Sequence, residues 1–75
     1  MNGKIFYLWY DHRDGRYTRH NYGLHCGNCF DAMVDGAWVA TRIEHSGSSE
    51  HSHGWILVTH PEEPLEGLPV RKEDA

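Results

Sequence analysis

The sequence comprises 75 residues with a formal net charge of −4. A chain of this size forms at most one domain and buries only about 60% of the surface that its unfolded form exposes, so its stability is expected to be marginal. The acidic balance argues against a general nucleic-acid binder, because affinity for phosphate groups comes chiefly from Lys and Arg.

The N-terminal part of the chain predicts two strands joined by a turn. Residues 4–10 read Lys-Ile-Phe-Tyr-Leu-Trp-Tyr, which is rich in aromatic and β-branched side chains and too short for a helix. This composition predicts a strand that is buried on much of both faces. Asp14 and Gly15 supply the turn, and residues 16–21 are the predicted partner strand.

The strongest hairpin signal lies in the middle of the chain. Residues 30–34 and 37–45 flank Asp35-Gly36, a pair that tolerates the positive φ angles of a two-residue type I′ turn. The register that this turn sets places a group of apolar residues on one core-facing side. The members of this group are Phe30, Ala32, Val34, Ala37, Val39 and Ile43.

These elements predict a mostly β fold. Residues 54–59 add a last apolar strand, which Pro61 ends. Short strands at tight spacing, without a 3.6-residue apolar period, are typical of a small barrel. We therefore expect a five-stranded barrel of the SH3-like or OB-like type.

Residues 61–75 differ from the rest of the chain in composition. They carry five acidic against two basic residues, and Pro and Gly are frequent among them. We expect residues 1–60 to form the folded domain and residues 61–75 to be a flexible, acidic and largely disordered tail. Leu65, Leu68 and Val70 are the side chains of this tail that could dock on the barrel.

Two cysteines form the candidate metal site. No stretch approaches the roughly 18 apolar residues of a membrane span, and the N-terminus lacks a signal-peptide pattern, so we expect a cytoplasmic protein. In that reducing compartment a Cys-x-x-Cys pair is more often a metal or redox site than a disulfide. Cys26-Gly-Asn-Cys29 has the spacing of a zinc knuckle, whose loop brings both thiolates to one ion.

Histidines supply the other ligands of the predicted site. Tetrahedral zinc needs two more ligands, and the hairpin register brings a His-bearing loop to the end of the hairpin where Cys26 lies. The histidines within reach are His25, His45, His51 and His53. His51 and His53 alternate along the chain and are the first choice, with His25 second because it adjoins the knuckle. A closed site of this kind holds structural Zn²⁺ and has no open position for hydrolytic chemistry.

Other interpretations of these residues stay open. The cysteines can be a reduced, metal-free pair that is buried as small apolar groups. They can also be a thioredoxin-like redox pair, although that motif stands at a helix N-terminus and the residues after Cys29 predict a strand. The His-rich loop can likewise be a solvated loop without ligands.

The remaining features predict binding or core roles and no catalysis. Arg13, Arg16 and Arg19 form a short basic patch that could contact phosphates, or they lie on a solvated strand face. The tryptophans Trp9, Trp38 and Trp55 are expected to supply the bulk of the core. No nucleophile triad, phosphate loop or segregated carboxylate pair can be assembled, so we expect a protein that is not an enzyme.

Three segments carry a resemblance to known proteins: Leu24-His25-Cys26-Gly27-x-Cys29-Phe30, Asp35-Gly36-x-Trp38-Val39-x-Thr41-Arg42-Ile43-Glu44 and Gly54-Trp55-x-Leu57-Val58. Over residues 24–58 the chain resembles a family of small proteins of unknown function that phages and mobile elements of Gram-positive bacteria carry. The family pattern supports His25, Cys26 and Cys29 as ligands. The chain is also similar to what is expected of a zinc-binding anti-CRISPR protein of streptococcal phages.

This resemblance implies an inhibitor of a bacterial defence system that acts in the cytoplasm of the host. The most specific expectation is an anti-CRISPR protein that binds a type II RNA-guided nuclease and blocks the loading of target DNA. An acidic tail and a near-neutral body suit a basic partner that handles nucleic acid. The alternative is a zinc-stabilised nucleic-acid-binding or regulatory module that uses Arg13, Arg16 and Arg19.

Overall fold

The computed structural model describes residues 4–19, 22–47 and 52–72, and antiparallel β-strands dominate these ranges. The strands are β1 (Phe6–Tyr7), β2 (Trp9–Asp11), β3 (Arg16–Arg19), β4 (Tyr22–Gly23), β5 (Cys29–Val34), β6 (Ala37–His45), β7 (Trp55–Leu57) and β8 (Pro69–Lys72). A 3₁₀ turn at Ser52–Gly54 precedes β7. In the same ranges no helix is long and apolar enough to cross a membrane. The prediction of a mostly β fold is confirmed.

The strands form two sheets, and the N-terminal segment of the chain contributes one strand to each of them. One sheet has the order β1-β8-β5-β6-β7 and the other has the order β2-β3-β4. Between β1 and β2, the N–H of Leu8 donates to the Leu68 carbonyl at 3.0 Å, and its carbonyl accepts from the Gly67 N–H at 2.7 Å. The chain therefore leaves the first sheet at Leu8 and continues in the second. For this reason no ladder among the described strands joins β1 to β7, and the predicted SH3-like or OB-like barrel is not closed.

The central hairpin forms in the predicted register. β5 and β6 pair Val34 with Ala37 across Asp35 and Gly36, whose φ angles are 52° and 82°. Because side chains alternate across a strand, this register turns one apolar side of each strand to the core. The buried members of the predicted set are Phe30, Ala32, Val34 and Ile43, whereas Val39 is half-buried and Ala37 is exposed at the tip.

The C-terminal segment completes the larger sheet. β8 lies between β1 and β5, so that Val70 pairs with Phe6 on one side and with Ala32 on the other. Leu65 and Val70 have no exposed surface, and Leu68 is 6% exposed. The expected docking of these apolar side chains is confirmed, and Val70 lies in β8, an interior strand of the sheet.

The predicted tail has to be corrected over most of its length. Residues 61–72 form turns and a strand of the same domain, so both the boundary after residue 60 and the expected disorder are wrong there. The acidic side chains of this segment lie on turns, where they stay largely in water while the apolar ones are buried. Residues 73–75 lie outside the described residues.

One core takes side chains from both sheets. Its members are Leu8, Tyr17, Leu24, Phe30, Ala32, Val34, Ile43, Trp55, Leu57, Leu65, Leu68 and Val70. The prediction that three tryptophans supply its bulk is wrong, because Trp9 is 40% exposed and Trp38 is only half-buried. The N-terminal run is not buried on both faces either, since Ile5 and Tyr7 are 44% and 61% exposed. The tryptophan prediction is confirmed for Trp55 alone, which is 5% exposed and packs in the core with Tyr17, Phe30 and a set of aliphatic side chains.

Candidate functional site

Backbone hydrogen bonds hold the Cys26–Cys29 turn against β6. The Gly27 N–H donates to the Ile43 carbonyl at 2.8 Å, and the Ile43 N–H donates to the Asn28 carbonyl at 3.1 Å. The Asn28 side chain also accepts from the His25 N–H at 2.7 Å. Gly27 has a φ of 90°, a conformation that glycine adopts without steric cost in a tight loop. The turn thus presents two exposed, free thiols from an ordered backbone.

The predicted histidine ligands lie in different places. The His25 ring nitrogen Nδ1 is 2.7 Å from Nη1 of Arg16, whereas the His53 ring stacks on Tyr10 with centroids 3.8 Å apart. In the part of the chain that the structure describes, no three His, Cys, Asp or Glu side chains are grouped to hold a metal ion. His51 lies outside the described residues. Zinc at the cysteine turn stays a prediction, and those of its proposed ligands that the structure describes do not form one group.

His45 is the last residue of β6 and lies opposite Trp55 in the adjacent strand β7, which forms the edge of the larger sheet. The two rings meet edge to face with centroids 4.9 Å apart. A Cβ atom at Gly54 would lie 2.9 Å from Nε2 of His45, so the ring fills the space above this glycine. His45 is therefore a packing residue of this edge.

Two of the three arginines of the predicted basic patch, Arg13 and Arg16, lie beside carboxylates. Nε of Arg16 lies 3.2 Å from Asp14, and Nη1 of the same side chain donates to the Leu24 carbonyl at 3.2 Å. Arg13 lies 3.8 Å from Asp11 and is almost fully exposed. The Arg16 side chain thus links the β2–β3 turn to the segment that precedes Cys26. Each of these two arginines has an acid beside it, which reduces the positive potential available to a phosphate backbone.

A cluster of histidines and tyrosines joins the β2–β3 turn to the 3₁₀ turn. We call Tyr10, His12, Tyr17 and His53 the histidine–tyrosine cluster. His12 meets Tyr10 edge to face with centroids 4.9 Å apart, and the centroids of His12 and His53 are 5.6 Å apart. Ser52 and His53 both have positive φ, at 51° and 56°, a conformation that is uncommon for non-glycine residues. The sequence gives no signal for this contact, because the two turns are far apart along the chain.

Tyr17 is the buried member of the histidine–tyrosine cluster. Its side chain is 1% exposed. Burial raises the pKa of its phenol, a hydrogen bond with Ser52 opposes this change, and the charges of Glu66 and Tyr10 add to it. The phenol therefore keeps its proton in the folded state at a pH where an ordinary tyrosine has begun to ionise.

The raised pKa of Tyr17 predicts a loss of stability at alkaline pH. Below the ordinary value of 10.0 both states hold the proton, whereas above it the unfolded state loses the proton more readily than the folded state. The free energy of unfolding is therefore expected to fall as the pH rises from about 9 to about 11. Urea unfolding of the wild type and of Tyr17→Phe across this range measures the effect. An equally steep fall in both proteins would contradict it.

The side of the larger sheet that faces away from the core carries a mixed apolar surface. We call it the outer face; its residues include Tyr7, Asp31, Met33, Trp38, Ala40 and Arg71. Nε of Arg71 lies 3.1 Å from Asp31, and its guanidinium carbon lies 4.4 Å from the centre of the Trp38 ring. Asp31 has only 12% of its side chain exposed, so this ion pair is partly buried. The pair and the stacked guanidinium hold Trp38 against the sheet.

Comparison with known proteins gives one family and one solved structure. The model of a domain of unknown function, DUF5348, matches residues 6–72. A crystal structure of a protein from Ruminococcus gnavus is 37% identical, covers 91% of this chain and 99% of its own, and superposes with a TM-score of 0.67. No protein of curated function shows significant similarity. The predicted likeness to a family of unknown function is thereby confirmed, and the chain belongs to the DUF5348 family.

Proposed function

We propose that this chain is a non-enzymatic module that binds a partner protein through the outer face. The observation that carries the proposal is the arrangement of Trp38, Arg71 and Asp31 on an exposed sheet surface. Tyr, Trp, Met and Arg are the residue types enriched where proteins meet, and all four stand on this face. A partner with a largely apolar contact surface fits this composition.

The centre of the outer face is held in place before any partner arrives. Arg71 is fixed between the Asp31 carboxylate and the Trp38 ring, at 3.1 Å and 4.4 Å. A side chain that is already ordered loses less conformational entropy on binding, which favours affinity. Tyr7, 61% exposed in the edge strand β1, adds a second aromatic group to the same surface.

Charge supports a protein partner over a nucleic acid. The chain has a net charge of −4, and Arg13 and Arg16 each lie beside an aspartate. A nucleic-acid surface needs unpaired cations that release counterions from phosphates. The alternative of a nucleic-acid-binding module therefore has less support from the described residues.

The sequence resemblance extends this proposal to a partner class. In that form the chain is an inhibitor carried by a phage or mobile element that binds a type II RNA-guided nuclease and blocks target-DNA loading. The acidic balance of the chain would favour encounter with a basic surface that otherwise binds DNA. Binding through the outer face and the choice of this nuclease are separate claims, and one experiment can test each.

The test measures binding of the full chain to a purified type II nuclease loaded with guide RNA. We expect a stoichiometric complex that no longer binds target DNA, and at least about a tenfold loss of affinity for Trp38→Ala and for Tyr7→Ser. His60→Ala, on a turn before the C-terminal segment, is the matched control and should bind as the wild type does. A nuclease that binds and cuts DNA normally at saturating chain would overturn the partner. Equal affinity of all variants would overturn the outer face.

The proposal includes a structural zinc ion at the Cys26–Cys29 turn, which would stabilise the folded domain. Both thiols are exposed on an ordered turn, and His25 adjoins them, which supports a site that recruits its remaining ligands from nearby chain. We expect one zinc per chain in the purified protein and a lower melting temperature after chelation. Cys26→Ser should lose both the metal and the response to chelator. A metal-free protein with unchanged stability in Cys26→Ser would exclude this site.

A further inference from the structure

The ring pair of His12 and His53 has the spacing of two ligands that share one metal ion. Zinc binds an imidazole nitrogen at about 2.0 to 2.1 Å, so two rings that share an ion at a tetrahedral angle have centroids roughly 5 Å apart. The centroids of these two rings are 5.6 Å apart, and the rings are nearly perpendicular at 84°. We propose that His12 and His53 together bind a divalent transition-metal ion of borderline softness, such as Zn²⁺ or Cu²⁺.

Both rings are accessible, and one of them is held in place. His12 and His53 are exposed, so an ion can reach them from solvent without a change in the core. The His53 ring lies flat on Tyr10, at 3.8 Å and 14° between planes, which fixes its position. The His12 ring is also exposed, and it meets Tyr10 edge to face with centroids 4.9 Å apart. Water completes the coordination of an ion held by two protein ligands.

The charges around the pair favour a cation. A carboxylate oxygen of Glu66 accepts the Tyr10 N–H at 3.3 Å, and Asp11 stands next to His12 in the chain. The nearby guanidinium of Arg13 lies 3.8 Å from Asp11, which offsets its charge. Carboxylates thus lie near the segments of the chain that carry the rings, and their negative charge favours the approach of a cation.

This site differs from the cysteine turn in ligands and in effect. It moves His53 out of the predicted thiolate site and gives a role to His12. An ion at the pair ties the β2–β3 turn to the 3₁₀ turn, two segments far apart in sequence. An ion that links these two turns in the folded state stabilises that state by an amount that grows with the logarithm of the metal concentration once the site is mostly filled.

The experiment titrates ZnCl₂ and CuCl₂ into the full chain carrying Cys26→Ser and Cys29→Ser, which removes the thiolates. We expect one ion per chain, tighter binding of Cu²⁺ than of Zn²⁺, and a rise in melting temperature with metal concentration. The Cu²⁺ form should show an electron paramagnetic resonance spectrum with two nitrogen ligands. His12→Ala and His53→Asn should each weaken binding at least about tenfold, since Asn tolerates the positive φ at residue 53.

The matched control is His60→Ala, which removes an imidazole that lies 2.9 Å from the Thr59 hydroxyl and outside the pair. It should bind metal as the parent does. Circular dichroism of each apo variant checks that the fold is kept. Unchanged affinity in both His12→Ala and His53→Asn, or no binding at millimolar metal, would overturn the proposal. Neither result depends on whether the cysteine turn binds zinc or the outer face binds a protein.

Discussion

A chain that ends at Pro64 is expected to lose its folded structure. This truncation removes β8, the strand that joins β1 to β5, together with the buried side chains of Leu65 and Val70. Loss of one buried Leu side chain costs about 2 to 5 kcal/mol, whereas a whole domain is stable by only about 5 to 15 kcal/mol. The two remaining parts of the larger sheet would also expose unpaired backbone edges. We expect no cooperative thermal transition and dispersion typical of an unfolded chain in nuclear magnetic resonance spectra.

The control for this truncation is a chain that ends at Lys72. It keeps β8 and every described residue, so its melting temperature should match that of the full chain. A chain ending at Pro64 that still melts cooperatively near the same temperature would show that residues 65–72 are dispensable. That result would restore the idea of a separate tail.

Phe30→Ala is expected to destabilise the fold by about 3 to 5 kcal/mol, because it leaves a large cavity in the core. Phe30 has no exposed surface and stands in β5, which pairs with both β6 and β8. For a domain of this size the change lowers the melting temperature by more than about 12 °C. Urea or thermal unfolding measured under one set of conditions gives the difference directly.

Met33→Ala is the matched control for Phe30→Ala, because it changes the opposite side of the same strand. Met33 is half-buried on the outer face, so its loss should cost less than about 1 kcal/mol. The same variant should weaken binding of a partner protein at the outer face while it leaves the fold intact. Equal destabilisation by both variants would mean that the outer face is part of the core.

The central hairpin could be predicted in detail from the sequence. Asp35-Gly36 needs a specific backbone conformation, which sets the register of β5 and β6. Because side chains alternate along a strand, this register determines which side of the sheet each residue faces, back to Phe30. The prediction succeeded because a two-residue turn is a local constraint that leaves few other registers. The mostly β class followed for the same reason, since each strand signal was short and local.

The C-terminal strand could not be predicted in the same way. Its pattern is Pro-Val-Arg-Lys, in which only Val70 has strand character, and the acidic residues before it suggest a solvated chain. The pairing of Val70 with Phe6 depends on contact between distant segments, and no local pattern reports such a contact. Charge composition was therefore a poor guide, because turns can keep acids in water while their neighbours are buried.

The candidate sites also differ in whether a local sequence pattern or a contact between distant segments determines them. The cysteine turn is visible in the sequence because the spacing of its two cysteines is local. The contact between His12 and His53 depends on how two turns pack, as does the stack of Arg71 on Trp38. The core assignment is right for Trp55 but wrong for Trp9 and Trp38, because hydrophobicity alone does not distinguish the two sides of a sheet.

The position of β8 also sets an order of events during synthesis. The only strand that pairs with β1 among the described residues is β8, so Phe6 leaves the ribosome long before Val70 exists to pair with it. The hairpin of β5 and β6 can form early, because its contacts are local, whereas closure of the larger sheet must await residues 69–72. Until then Phe6 and the inner edge of β5 are open to other chains. The nascent protein is thus most prone to aggregation just before its synthesis reaches β8.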